Sequence, residues 1–205
     1  MVVASKRLEK LRIPGGITFS TSYGRLPAIK KLVIRDVWPY APEAIVKSFN
    51  FSRLETLVLE GEVDIPPFVD SVRDIAFRSL RRLHVTEDDL FGKDDQESSS
   101  AKVSDFITRL DKLQKVSAVT YDPEKIINTL AKHKNSLTKL SLSIPVEVEV
   151  SFIGLKQAKD ILIFFSYLVE LNLSLNVPPP ESEEAAYYVE RSKVSSLLHP
   201  RRILL

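Results

Sequence analysis

Residues 168–176 read Leu-Val-Glu-Leu-Asn-Leu-Ser-Leu-Asn, with leucines at offsets 0, 3 and 5 and an asparagine at offset 8. A short strand with this spacing turns Leu171 and Leu173 to one face, because successive strand side chains alternate. A single such stretch describes any half-buried strand. Its recurrence is what constrains the fold. With the first apolar residue as position 1, positions 1, 4 and 6 are filled seven times. The first four sets are Leu8-Leu11-Ile13, Ile29-Leu32-Ile34, Leu54-Leu57-Leu59 and Leu80-Leu83-Val85. The last three are Leu113-Val116-Ala118, Leu137-Leu140-Leu142 and Leu168-Leu171-Leu173. Successive starts lie 21, 25, 26, 33, 24 and 31 residues apart.

The intervals hold plausible return elements. Phe68, Val69, Val72, Ile75 and Ala76 make an apolar stripe behind Pro66-Pro67, residues suited to a helix start. Val103, Phe106, Ile107 and Leu110 recur at helical spacing. Asp122-Pro123-Glu124 supplies an N-cap, a first-turn proline and a carboxylate near the positive helix end, ahead of Ile126, Ile127, Leu130 and Ala131. Leu155, Ala158, Leu162 and Phe165 make a similar stripe, and Pro42 to Phe49 reads as a shorter helix. Parallel strands need crossovers of about a dozen residues or more, which these intervals provide. The expected class is therefore α/β, with strands near 9–14, 30–35, 55–60, 81–86, 114–119, 138–143 and 169–174.

Over residues 1–177 the chain resembles a leucine-rich repeat array. The resemblance implies a horseshoe solenoid of about seven irregular repeats, with a parallel sheet on the concave face and helices on the convex face. It also implies that Asn176 caps its turn. Position 9 departs from the pattern elsewhere, reading Gly16, Val37, Glu62, Asp88, Tyr121 and Pro145, so an asparagine ladder is absent. Residues 87–100 carry Asp88, Asp89, Asp94, Asp95 and Glu97 and then three serines; they account for the longest interval and read as a mobile acidic loop. Residues 178–205 form a separate end, comprising Pro178-Pro179-Pro180, a helix from about Glu183 to Leu198 and an apolar tail. Neither end shows a polar cap, so the expectation is a segment of a longer array or self-association of its ends.

Chemistry finds little support. There are no cysteines, which removes disulfides and thiol catalysis and fits a reducing interior, cytoplasmic or nuclear. No apolar run approaches the roughly 20 residues of a membrane helix, and the N-terminus lacks the order of a secretory signal. His84, His133 and His199 show no paired metal-ligand spacing and read as solvated. No Gly-x-Ser-x-Gly elbow or Gly-rich phosphate loop is present among only six glycines. Asp88, Asp89, Asp94 and Asp95 match a calcium loop poorly. No catalytic, cofactor or metal residue is assigned, and an enzyme is the remote alternative.

Binding finds more. Position 3 of each repeat, pointing away from the buried leucines, reads Lys10, Lys31, Thr56, Arg82, Lys115, Lys139 and Glu170, five of seven basic. Arg12 and His84 at position 5 and Arg35 at position 7 add to it. Two explanations stand: a concave face complementary to an acidic protein partner, or lysines guarding an exposed sheet against aggregation. Aromatics are sparse there, which argues against nucleic acid, and a net charge of +2 adds nothing in its favour. Trp38 is either a rim contact for the partner or packing over the turn. Irregular repeats without cysteine resemble those of intracellular F-box/leucine-rich-repeat proteins, which implies substrate recognition for a cullin-type ubiquitin ligase. The sequence holds no F-box. The alternative is the sensor or regulatory repeat domain of a larger receptor.

Overall fold

The computed structural model describes residues 9–13, 26–35, 42–61, 65–87, 92–144, 155–173 and 203–204. The elements alternate along the chain: β1 (Lys10–Ile13), β2 (Lys31–Arg35), α1 (Pro42–Ser48), β3 (Thr56–Glu60), α2 (Ile65–Ser71), β4 (Arg82–Thr86) and α3 (Gly92–Arg109). They continue with β5 (Lys115–Val119), α4 (Pro123–Leu130), β6 (Lys139–Ser143), α5 (Leu155–Phe164), β7 (Glu170–Leu173) and β8 (Ile203–Leu204). The strands form one sheet in sequence order, every neighbouring pair parallel. The protein is α/β, and each of the first seven strands begins one residue inside the stretch read from the sequence.

The leucine frame explains the sheet. At position 1, Ile29, Leu54, Leu80, Leu113, Leu137 and Leu168 are all buried. So are positions 4 and 6 of every described strand from β2 to β7, while Leu11 of β1 is partly covered. Each buried leucine-sized side chain contributes about 1.5–3 kcal/mol relative to exposure. A slip of one residue would turn each set outward, so burial fixes the register.

Main-chain bonds lock the same register at the strand entrances. The carbonyl at position 2 of each repeat accepts two consecutive amides from the next. Glu9 O accepts from Lys30 N and Lys31 N at 2.9 and 3.0 Å, and Lys30 O from Glu55 N and Thr56 N at 2.8 and 3.0 Å. The pairing recurs at Glu55, Arg81, Gln114 and Thr138, ending on Val169 N and Glu170 N. Positions equivalent in the sequence frame are thus equivalent in hydrogen bonding.

The described helices pack on the face that receives the leucines. Ile45, Phe68, Val69, Phe106, Ile107, Ile126, Leu130 and Ile161 join Leu32, Leu57, Leu83 and Leu140 in one core. A line of rings crosses it: Phe49 to Phe51 at 6.2 Å, Phe51 to Phe77 at 5.5 Å and Phe77 to Phe106 at 5.4 Å between centroids. Phe51, Phe77 and Phe165 each stand three residues before a position-1 residue and accept its amide. Asp122 caps α4, its Oδ1 accepting from Lys125 N at 2.8 Å.

Three expectations change. Residues 92–100, read as mobile loop, are the first half of α3; no glycine or proline interrupts the run from Lys93 to Arg109. Glu87, read as the start of that loop, is 2% exposed. Its Oε2 accepts from Ser100 Oγ at 2.8 Å, Thr120 Oγ1 at 3.0 Å and Tyr121 N at 3.1 Å. His133, read as solvated, is 1% exposed and bridges two backbone groups. Its Nδ1 accepts from Leu113 N at 3.3 Å, and Nε2 lies 3.2 Å from Ile107 O, to which it donates. Two residues of the apolar tail, Ile203 and Leu204, extend the sheet as β8. Asn176 and residues 178–202 lie outside the described residues.

Candidate functional site

Strand alternation sends positions 3, 5 and 7 to the face opposite the helices. The register aligns position 3 of seven strands in one row: Lys10, Lys31, Thr56, Arg82, Lys115, Lys139 and Glu170. Strands lie about 4.8 Å apart, so neighbours in the row are within electrostatic reach. Position 5 forms a second row, Arg12, Val33, Val58, His84, Ser117, Ser141 and Asn172. Arg35 and Glu60 lie side by side in the third.

The cations divide into two groups. Arg35 is held by Glu60: its Nε donates to Oε2 at 3.0 Å, and a terminal guanidinium nitrogen pairs with the same oxygen. Lys139 is held in the same way by Glu170. The Arg35 hydrogen bond holds the Glu60 carboxyl below the usual carboxylate range against the opposing effect of burial, with charges on Arg35, His84 and Arg12 adding to it. The Lys139 hydrogen bond does the same for Glu170, helped by the charges of Lys139 and Lys115. Lys10, Arg12, Lys31, Arg82 and Lys115 make no ion pair among the described residues. Four of the seven positions in the position-3 row, Lys10, Lys31, Arg82 and Lys115, therefore carry a cation without an ion pair among the described residues.

His84 sits between these groups. Burial pulls its imidazole below the usual histidine range, and Glu60 Oε1, 3.9 Å from Nε2, acts in the opposite direction. It is neutral at neutral pH. Beyond it the surface sinks into an open depression of about 240 Å³. Arg82, Lys115, Lys139 and Glu170 line one side, and Ser117 and Ser141 lie between His84 and Asn172 on the other. The depression follows from size: two adjacent serines interrupt a row of larger side chains. Val33 and Val58 continue that row outside the main core, buried to 7% and 8% exposure.

All eight basic residues expected on this face, Lys10, Arg12, Lys31, Arg35, Arg82, His84, Lys115 and Lys139, stand on its three rows. Trp38 lies outside the described residues. A search for basic side chains misses Ser117, Ser141, Glu170 and Asn172, although the same position numbering points to each. Among the described residues no group of three His, Cys, Asp or Glu side chains converges as metal ligands, and no helix is long and apolar enough to cross a membrane. No protein-family model, curated protein or solved structure matches the chain.

Proposed function

We propose that the protein is a non-enzymatic binding scaffold of the leucine-rich repeat type, whose sheet face grips an acidic protein partner. The observation that carries this reading is the continuous position-3 row, in which Lys10, Lys31, Arg82 and Lys115 have no ion pair among the described residues. Lysines that only discourage aggregation need no alignment across seven strands. An acidic segment laid across the strands, at steps of about 4.8 Å, meets unpaired cations at Lys10 and Lys31 and, past Thr56, at Arg82 and Lys115. The repeating two-amide junction supports the solenoid reading, since it makes successive repeats equivalent in the backbone. The absence of cysteine supports action in the cytoplasm or nucleus. Within that reading, the partner is a substrate presented to a cullin-type ubiquitin ligase or a ligand sensed by a larger receptor.

The test reverses the four unpaired cations together, Lys10→Glu, Lys31→Glu, Arg82→Glu and Lys115→Glu, leaving the Lys139–Glu170 pair intact. Variant and wild type must first match in circular dichroism and melting. Acidic proteins captured by the wild type from cell extract and released by moderate salt are expected to be lost from the variant. Retention of the same partners by the variant removes the sheet face from consideration.

A further inference from the structure

We infer that the depression seats a phosphorylated serine or threonine side chain of the partner, which rests on the acidic-partner reading above. Charge is the first reason. Arg82 and Lys115 occupy adjacent strands of one row without an ion pair among the described residues. A carboxylate balances one of them; a phosphate monoester, with a charge of about −1.5 to −2 at pH 7 and three acceptor oxygens, balances both.

Donors are the second reason. The planar fork of Arg82 matches two phosphate oxygens, and Lys115 supplies a point charge to the third. The hydroxyls of Ser117 and Ser141 face the same space and make no side-chain hydrogen bond among the described residues. They complete a set that a carboxylate does not use.

The third reason is selectivity along the row. Glu170, tied to Lys139, makes the far end of the depression a closed ion pair with no net charge to offer an anion. The site therefore takes one anion, at the Arg82–Lys115 end. His84 adds little charge there at neutral pH, because burial keeps its imidazole neutral.

Short labelled acidic peptides of one sequence, with phosphoserine, glutamate or serine at the centre, test this by fluorescence anisotropy. The wild type is expected to bind the phosphoserine peptide about tenfold more tightly than the glutamate peptide, the worth of one further charge-assisted hydrogen bond. Ser117→Val with Ser141→Val, checked for unchanged melting, fills the depression while keeping every cation, and is expected to abolish the preference. Equal affinity of wild type for phosphoserine and glutamate peptides overturns the phosphate seat and leaves the acidic-partner reading standing. A preference that survives the double substitution also overturns it, as does displacement of all three peptides alike by inorganic phosphate. Failure of all three peptides to bind overturns both readings.

Discussion

Protonating His133 would remove the acceptor that Leu113 N–H uses. Burial already depresses its folded pKa, with the Ile107 carbonyl opposing. Its contribution to stability is therefore complete above the ordinary histidine value of 6.5 and is lost as pH falls below that towards the folded value. His133→Gln should cost about 1–3 kcal/mol at neutral pH, because one buried backbone group loses its partner. Its melting temperature should also fall less steeply than that of the wild type between neutral and mildly acidic pH, as calorimetry would show. Glu87 has the opposite sign. Burial raises its pKa above 4.5, although Ser100, Tyr121 and Thr120 donate to it. Its folded form holds a proton that the unfolded form gives up, so its contribution is complete below 4.5 and is lost as pH rises through the raised value. Glu87→Gln should therefore gain on the wild type, in melting temperature, as pH rises from mildly acidic to neutral. Neither residue was legible in the sequence. A histidine and a glutamate look solvated until the fold stacks other elements over them, and the partners of both lie at least 13 residues away.

The strands were the legible elements, because a two-residue alternation of leucines states which side is buried. The crossovers were legible where caps and prolines announced them, as at Asp122-Pro123. The start of α3 was not, since its acidic and serine-rich composition carries no apolar stripe before Val103. The phenylalanine line was overlooked for a different reason. Phe51, Phe77 and Phe165 fall in the intervals between frame positions, yet all three precede position 1 by the same three residues. That recurrence was the available signal. The rings of Phe51 and Phe77 join neighbouring repeats, whereas that of Phe165 meets Phe164 beside it. Phe77 makes two such contacts, at 5.5 and 5.4 Å. Phe77→Ala should destabilise by about 3–5 kcal/mol, through lost burial and the cavity left behind. Urea unfolding checks this; a loss below about 1 kcal/mol would mean that the site collapses around the gap or that the rings do not interlock.

At the scale of the molecule, every described sheet contact joins strands consecutive in sequence, so each inner strand depends on the two beside it. Hydrogen exchange should accordingly be slowest in β3 to β6 and faster towards the two ends of the sheet, β1 and β8, with opening graded between them. The same stacking turns isolated lysines into a surface. In the sequence Lys31, Arg82 and Lys115 are separated by dozens of residues; in the sheet they share a row. The sequence showed which residues belong to that row. It did not show that Glu60 and Glu170 neutralise two of the cations, because those pairs depend on rotamers as well as register. The most direct measurement is photo-crosslinking in cell extract, with a benzophenone side chain placed either at Ser117, in the depression, or at exposed Glu124, on α4. Binding on the sheet requires an acidic protein adduct from position 117 that is missing from position 124 and weakened by salt. An adduct from position 124 alone would place the partner on the helices and contradict the binding role of the basic row.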